Sequence, residues 1–322
     1  MQYNLSASPV ALNRYATIPA ARRAHRTRLN NEDREVSSPM HTAIPLWPGN
    51  KRIAVIFNVC LEAWSDGKAP GISPMGNPLP PGVLDNTAIS WAAYGATRGI
   101  FRLLDSFARF GVKASVLTSA ILAERTPQAV RAVADGGHEV VSHSYAMDVM
   151  PAMLQEAAEK QNIERCTDLL QNAAGKPVKG WLSPRATPSV HTPRLLAAAG
   201  FTWHGDTLAD DLPWVQSFGD RKIVAIPLST DVNDMPSMKN GTPPRAMLDT
   251  FDELLNILLK HERGPAVIDV TTHAHIFGRA RGAHYHEKII EAAAKTSEVW
   301  VGTRLDVANH MLAGGRQEKR GT

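Results

Sequence analysis

The run RIAVIFNVCL, residues 52–61, decides the fold class, because it is an almost unbroken apolar stretch of strand length. Continuous rather than alternating hydrophobicity is typical of a strand buried on both faces, as strands of parallel sheets are. The next regular segment, GATRGIFRLLDSFARFG, has apolar residues at helical spacing and ends at Gly111. A buried strand followed by a helix is the repeating unit of an α/β protein.

The same alternation continues toward the C-terminus. We predict further strands near residues 113–122, 138–144, 178–184, 201–207, 221–228, 265–275 and 299–304, and helices near residues 126–137, 154–174, 192–200, 244–261, 284–295 and after 304. This order implies a mostly parallel sheet, closed or distorted into a (β/α) barrel. The Gly- and Pro-rich segment from Ser65 to Tyr94 is too long for a routine connection, and we predict a functional loop or lid there.

Composition limits the class of protein. The 322 residues are 43% hydrophobic and 20% charged, which is ordinary for a soluble globular chain. Residues 1–50 hold six arginines, no lysine and three acids, and so account for +3 of the formal charge of +4. We therefore expect residues 1–45 to be a flexible Arg-rich leader or tail, residues 46–312 the catalytic domain, and residues 313–322 a polar tail. Met40 is an alternative initiator.

Several partners are excluded on the same grounds. The body of the chain has no basic footprint for nucleic acid, and no apolar run approaches the ~20 residues of a membrane span. Cys60 and Cys166 lie too far apart for a disulfide framework or a zinc cluster, and Cys60 is expected to be a buried reduced thiol. A reducing cytoplasm is the expected location, and a small molecule is the expected partner.

Groups suited to hydrolysis or to oriented binding follow six successive predicted strands. They are Glu62 and Trp64; Ser142 and His143; Trp181 and Arg185; Asp206, Asp210 and Asp211; Asn233 and Asp234; and His273 and His275. Ligands of such folds meet residues at the carboxyl ends of the strands. A carboxylate, an imidazole and a guanidinium together can support attack of water on a carbonyl. The chain has no G-x-S-x-G, H-E-x-x-H or G-x-G-x-x-G motif, which argues against a serine nucleophile, a zincin and a dinucleotide site.

The order of these motifs resembles the polysaccharide deacetylase family, and within it the branch of cofactor-independent allantoinases and bacterial cyclic imidases. The resemblance covers about residues 51–310. It rests on FNVCLEAW, GGHEVVSHSY, GWLSPRATPS, LLAAAGFTWHGDTLADDLPW, IPLSTDVNDMP, THAHIFGRARGA and VWVGTRLDVANH. It implies a distorted (β/α) barrel of mostly parallel strands, and hydrolysis of a carbon–nitrogen bond.

The resemblance also implies roles. Glu62 matches the family's general base, His143 its first metal histidine, Arg185 its orienting arginine and His273 its general acid. The other two metal positions of the family are filled by Ala63 and Met147, which cannot replace a carboxylate and an imidazole. No cofactor is therefore expected. An alternative is a single Zn²⁺ bound by Glu62, His143 and His275.

The resulting hypothesis is hydrolysis of a small cyclic amide, imide or ureide. Glu62 would activate water, with its basicity raised by apolar surroundings, while His273 protonates the leaving nitrogen and Arg185 holds the oxyanion; His143 would pair with Glu62 or the substrate carbonyl. The expected substrate-binding residues are Trp64, Trp181, Trp203, Asp211, Asn233, Asp234 and His275. Two alternatives stay open: a metal-dependent deacetylase of an N-acetylated sugar, and a non-catalytic binding homologue. The resembling proteins also suggest a homo-oligomer, a dimer or tetramer.

Overall fold

Strand β1 (Ile53–Leu61) lies in the interior of the sheet and is buried along its whole length. It pairs in parallel with β9 (Ala266–His273) on one side. On the other side it pairs with β10 (Val299–Gly302) along its first half and with β2 (Ser115–Thr118) along its second half. The unbroken apolar run of the sequence is explained by this position, since both faces and both edges of β1 are covered.

The other strands extend the sheet on both sides. They are β3 (Glu139–Ser142), β4 (Gly180–Trp181), β5 (Trp203–His204), β6 (Trp214–Phe218), β7 (Arg221–Ala225) and β8 (Val232–Asn233). The order is β6-β7-β5-β4-β3-β2-β1-β9-β8, and β6 with β7 is the antiparallel pair. This curled, mostly parallel sheet with helices packed on it confirms the predicted distorted (β/α) barrel.

The computed structural model describes residues 44–70, 79–80 and 82–314. Its α-helices are α1 (Asn86–Tyr94), α2 (Ile100–Phe110), α3 (Ile121–Arg125), α4 (Pro127–Asp135), α5 (Glu156–Ala174), α6 (Thr192–Ala198), α7 (Asp234–Lys239), α8 (Arg245–His261), α9 (Ala280–Lys295) and α10 (Arg304–Gly314). Within the described part of the chain, no helix is long and apolar enough to cross a membrane. The predicted leader, apart from residues 44–45, the alternative start at Met40 and the tail from residue 315 lie outside the described residues.

Helix α1 corrects the predicted loop, because residues 86–94 are helical rather than irregular. Asp85 caps this helix by accepting a hydrogen bond from the backbone N–H of Ala88 at 2.8 Å. A single π-helical turn, Gly95–Gly99, joins α1 to α2. Gly99 packs so closely on residues 274–278 that an added Cβ would lie 1.9 Å from the carbonyl oxygen of Ala274. Residues 86–99 are therefore held tightly against the segment that follows β9.

Successive residues of β1 point into two different clusters of the core. Phe57, Val59 and Leu61 pack with the helices in the larger cluster. Ile56 and Cys60 belong to the smaller cluster, which contains side chains from the other face of the sheet. The side chain of Glu62 follows the second set, because side chains alternate along an extended chain.

A buried ion pair fixes the strands that lead to Glu62. Arg304, at the start of α10, donates from Nη2 to Oδ1 of Asp269 in β9 at 2.7 Å, and both side chains are almost fully buried. Its Nε donates to Oδ1 of Asn58 in β1, and its Nη1 to the carbonyl oxygen of Ile226. These bonds connect α10 to β1, β9 and the end of β7, and so stabilise the arrangement that carries the site.

Candidate active site

The pairing of β1 with β9 brings two predicted site residues together. Cys60 of β1 and His273 of β9 are partners in the parallel register, and Glu62 follows directly after the end of β1. Parallel strands end at the same edge of a sheet, so Glu62 and His273 lie side by side there. The short strand β3 ends one residue before His143 at the same edge.

The carboxylate of Glu62 is surrounded by imidazoles. Its Oε1 lies 3.6 Å from Nε2 of His143 and 3.6 Å from Nε2 of His273, and its Oε2 lies 4.0 Å from Nε2 of His275. All four side chains are buried. The structure therefore brings together the four polar residues that the sequence placed after β1, β3 and β9.

The pKa of Glu62 is shifted in the direction opposite to the expected one. Burial by itself raises the pKa of Glu62, but the nearby His273, with His143 and His275, outweighs burial and lowers the pKa to about 2. The prediction of raised basicity was wrong because it took account of the apolar strand and not of the imidazoles. Glu62 is consequently ionised throughout the neutral range.

His273 is oriented by a second carboxylate. Asp234, fully buried at the start of α7, accepts a hydrogen bond from the Nδ1–H of His273 at 2.6 Å and another from its backbone N–H at 2.8 Å. Nε2 of His273 is thereby turned toward Glu62. Burial lowers the pKa of His273, but the negative charges around the ring outweigh it and raise the pKa well above its ordinary value. His273 therefore carries a proton at neutral pH.

His143 and His275 have different surroundings. Nδ1 of His143 donates to the carbonyl oxygen of Leu182, which leaves its Nε2 facing Glu62. Neither ring nitrogen of His275 has a hydrogen-bond partner among the described residues. The ring is held instead by edge contacts with Trp64 and Trp91, at centroid distances of 5.8 and 4.4 Å. Burial lowers the pKa of His275 to about 3, so it is a neutral imidazole with an unused N–H.

A cavity of about 640 Å³, including the open solvent at its mouth, lies beside Glu62. Its walls are largely apolar and come from the segment after β1, from α1, the π-turn and α3; they include Trp64, Ile89, Ala92, Ala96 and Leu122. Arg125 stands at the rim, where it donates to Oδ1 of Asp66 at 2.7 Å and to the carbonyl oxygen of Trp64 at 2.9 Å. A small, flat and mainly apolar molecule fits such a cavity.

The positions that hold metal in the resembling family do not fit a metal here. The backbone N–H of Met147 donates to the carbonyl oxygen of Ala63 at 2.9 Å, so the two positions are neighbours in space, as a shared site would require. Their side chains supply no carboxylate or imidazole, and His143 alone remains of that donor set. The alternative set of Glu62, His143 and His275 is not close enough either. Among the described residues, the group whose donor atoms all lie within 4.8 Å of one another is Cys60, Glu62 and His273.

Several predicted binding residues lie elsewhere. Trp181 and Trp203 are both fully buried, and they donate their indole N–H groups to Ser183 and Glu139, so they belong to the core rather than to a pocket wall. Asp211 is exposed. Asn233 caps α7 through a bond from the backbone N–H of Met235. Both carboxylate oxygens of Asp234 accept hydrogen bonds from His273. Asp234 therefore orients His273, instead of contacting a substrate ring as predicted.

Arg185 is also placed differently from the expectation. It lies in a tight turn with φ 57° and ψ 22°, a left-handed conformation that is uncommon for residues other than glycine. Its side chain is exposed, and the structure shows no ion pair between it and Glu62 within residues 44–70, 79–80 and 82–314. The turn is anchored by Ser183, whose N–H and hydroxyl both donate to Asp206 at 2.7 Å.

Sequence reasoning missed two residues of the site. Cys60 was expected to be an inert buried thiol, although strand alternation alone places it on the same face as Glu62. Trp91 lay in the segment taken as a loop, and a helical reading of residues 86–94 would have placed it on a buried face with Ala88 and Ala92.

Comparison with known proteins shows which proteins this chain resembles in sequence and fold. A family model described as "Polysaccharide deacetylase" matches residues 93–204. A Schizosaccharomyces pombe protein described as "Putative polysaccharide deacetylase" is 25% identical over 298 residues, which is 81% of this chain and 91% of that protein. The peptidoglycan deacetylase of Helicobacter pylori is 23% identical over 264 residues, which is 72% of this chain and 89% of that protein. The crystal structure of the Puue allantoinase superposes with a TM-score of 0.76 at 26% identity, covering 85% of this chain and 95% of the other.

Proposed function

We propose that this chain hydrolyses a carbon–nitrogen bond, other than a peptide bond, in a small cyclic amide, imide or ureide, and that it does so without a metal ion. The match of residues 93–204 to the polysaccharide deacetylase model supports this class of reaction. The observation that carries the proposal is the pair Glu62 and His273. The two groups lie 3.6 Å apart, one ionised and one protonated at neutral pH. Neighbouring groups whose pKa values are driven apart are the signature of an acid and a base in one site.

In the proposed reaction, water lies between Glu62 and the ring carbonyl of the substrate. Glu62 accepts a proton from this water as its oxygen bonds to the carbonyl carbon, which gives a tetrahedral intermediate. The carbon–nitrogen bond then breaks, and Nε2–H of His273 protonates the departing nitrogen. The product is one ring-opened molecule that carries a carboxylic acid at one end and an amide, urea or amine at the other, so that one water is consumed for each bond cleaved.

His275 is the best-placed donor for the developing oxyanion. It is neutral, buried and without a hydrogen-bond partner among the described residues, so its N–H is free to bind a carbonyl oxygen that enters the site. A donor already fixed where charge develops contributes without further reorganisation. We therefore assign to His275 the role first expected of Arg185, whose side chain is exposed.

Two features support a small ring and metal-independent chemistry. Ala63 and Met147 supply no donor at the family's metal positions, and the charged pair beside them provides both proton-transfer groups. Most of the cavity surface is apolar and comes from alanines, Ile89, Leu122 and Trp64, with Ser65, Asp66, Thr97, Arg125 and Thr126 as polar members beside Glu62. The large apolar share suits a flat ring better than a hydroxylated sugar. The allantoinase among the similar structures acts on a compound of this class, as its name states.

The second candidate is deacetylation of an N-acetylated sugar, which the name of the Helicobacter pylori relative favours. The same acid–base pair would serve that reaction, but the low polarity of the cavity argues against it. A non-catalytic binding protein is the third reading. It leaves unexplained why Asp234, His273 and Glu62 keep a complete hydrogen-bonded and charged array. A cytoplasmic location and a homo-oligomeric state stay predictions.

A substrate panel tests the proposal. Hydantoin, succinimide, phthalimide, allantoin and N-acetyl sugars would be incubated with the purified protein, and ring opening or acetate release measured. We expect turnover of at least one ring and no release of acetate. Glu62→Gln should lower kcat/KM by about 10²–10⁴-fold, the range of a lost general base. Glu164→Gln, on the exposed face of α5, is the matched control and should behave as the wild type. Equal activity of Glu62→Gln and wild type would exclude Glu62 as the base.

A further inference from the structure

Cys60 adds a thiol to the acid–base pair. It precedes Glu62 by two residues on the same face of β1, and it is opposite His273 in the register of β1 with β9. One donor atom from each of Cys60, Glu62 and His273 lies within 4.8 Å of the other two. The proposed reaction makes no use of the thiol, so its position needs a separate explanation.

The spacing of the three donors matches a metal-binding set. Zinc binds imidazole nitrogen and carboxylate oxygen at about 2.0–2.2 Å, so two such ligands of a tetrahedral ion stand about 3.3–3.6 Å apart. Oε1 of Glu62 and Nε2 of His273 are 3.6 Å apart. A thiolate bond is longer, about 2.3 Å, so a thiolate sulfur stands about 3.5–3.7 Å from the other ligands of a tetrahedral ion. The sulfur of Cys60 lies within 4.8 Å of the donor atoms of Glu62 and His273. Small side-chain adjustments would therefore bring all three donors onto one ion.

Three further features favour a ligand at this position. The bond from Nδ1 of His273 to Asp234 fixes the ring and its tautomer, which is the usual outer-sphere arrangement of a metal-binding histidine. His275 is fully buried, has no hydrogen-bond partner among the described residues, and directs Nε2 toward Glu62 at 4.0 Å. A buried polar group without a partner costs stability unless something occupies the space that it faces. Glu62 also lines the open cavity, which gives an ion a path inward.

We propose that Cys60, Glu62 and His273 bind a soft divalent cation, Cd²⁺ or Zn²⁺, at a position distinct from the one formed by residues 63, 143 and 147 in the resembling family. Thiolate ligands select such ions over Mg²⁺ or Ca²⁺. A bound ion would displace the protons on the sulfur of Cys60 and on Nε2 of His273, and it would take up a lone pair of Glu62. It would therefore block both the acid and the base and inhibit hydrolysis rather than support it. The site itself rests on the geometry of the three donors and not on the proposed reaction.

Cadmium titration of the full chain tests the site directly, because a cadmium–thiolate bond gives an ultraviolet charge-transfer band that needs no substrate. We expect a band that saturates at one Cd²⁺ per chain. Cys60→Ser should abolish it, and Cys166→Ser, which changes the other buried thiol of the chain, should leave it intact. Absence of a band in the wild-type protein, or an equal band in Cys60→Ser, would overturn the proposal.

A second pair of variants distinguishes an ion held by all three residues from an ion held by the thiol of Cys60 alone. It also tests the site if Cys60→Ser does not fold. His273→Gln and Glu62→Gln should each weaken cadmium binding by more than about tenfold, since even an outer-sphere change costs 10–100-fold in affinity. Excess Mg²⁺ should not compete with cadmium. Cadmium binding that is equally tight in both variants would show that Cys60 binds the ion without Glu62 and His273, and the assigned site would be wrong.

Discussion

Replacement of Asp234 by Asn perturbs the proposed acid without touching the space that a substrate would occupy. In the wild type, the two oxygens of Asp234 accept hydrogen bonds from the backbone N–H and from Nδ1–H of His273, at 2.8 and 2.6 Å. Asparagine has nearly the same volume but a single acceptor oxygen, so one of the two N–H groups would face an amide NH₂ instead. The negative charge beside the imidazolium is lost at the same time.

The size of the change in the pKa of His273 follows from the charge interaction that is lost. Two unit charges about 4 Å apart at an effective dielectric constant near 20 interact by about 4 kcal/mol. We expect the pKa of His273 to fall in this variant but to stay above its ordinary value, because Glu62 still stands 3.6 Å away. Activity requires protonated His273, so kcat/KM of the wild type should decline as the pH rises through its raised pKa, and this alkaline decline should move to lower pH in Asp234→Asn.

The assay is the pH profile of kcat/KM on the best ring substrate, with the midpoint of thermal unfolding as a control for folding. At neutral pH we expect a loss of about 10²–10⁴-fold, typical of a general acid that is disoriented or deprotonated. Asp231→Asn changes an exposed carboxylate of the same loop and should have the wild-type profile. If Asp234→Asn kept both the rate and the alkaline midpoint of the wild type, His273 could not be an acid controlled by Asp234.

Two predictions concern stability. His286 is fully buried against Phe107, has no hydrogen-bond partner among the described residues, and has its pKa lowered to about 3 by burial. His286→Leu should stabilise the protein by about 1–3 kcal/mol, because it removes this unpaired polar group from the core. The gain should grow as the pH falls below 6.5, because the unfolded histidine binds a proton there and the folded one does not. Thermal melts at pH 7 and pH 5, with exposed His284→Leu as control, measure this, and a destabilised variant would contradict it. Asp269→Asn leaves Arg304 buried without its counter-charge and should cost about 3–5 kcal/mol in urea unfolding, and a cost below 1 kcal/mol would show that the charge is otherwise compensated.

The periodicity of the sequence predicted the fold well where elements are long. The apolar run of residues 52–61 became β1, and α2 ends at Gly111 as the sequence indicated. Gly111 and Gly175, which follow α2 and α5, both have the left-handed conformation that glycine favours. Helix α1 was missed, because the Gly- and Pro-rich residues before it made the whole segment resemble a loop. Strands β4 and β5 have two residues each, too few for any alternation to show which face a side chain takes. The pocket role of Trp181 and Trp203 failed for that reason.

The site was predictable in its members but not in its electrostatics. Positions after parallel strands gave Glu62, His143, His273 and His275, because strand ends share one edge of the sheet. The sign of the pKa shift of Glu62 depends on distances of about 4 Å to three imidazoles, which only the tertiary structure supplies. The exposure of Arg185 likewise depends on the left-handed turn at that residue, for which the sequence SPRA gives no signal.

Turnover of the ring substrate by protein freed of metal tests the central claim most directly. The protein would be dialysed against a strong chelator, its residual metal measured by elemental analysis, and kcat/KM compared before dialysis, after it and after addition of zinc. We expect undiminished turnover without metal, and a decrease when zinc is added. Loss of turnover on chelation, with recovery by stoichiometric zinc, would contradict hydrolysis by Glu62 and His273 unaided.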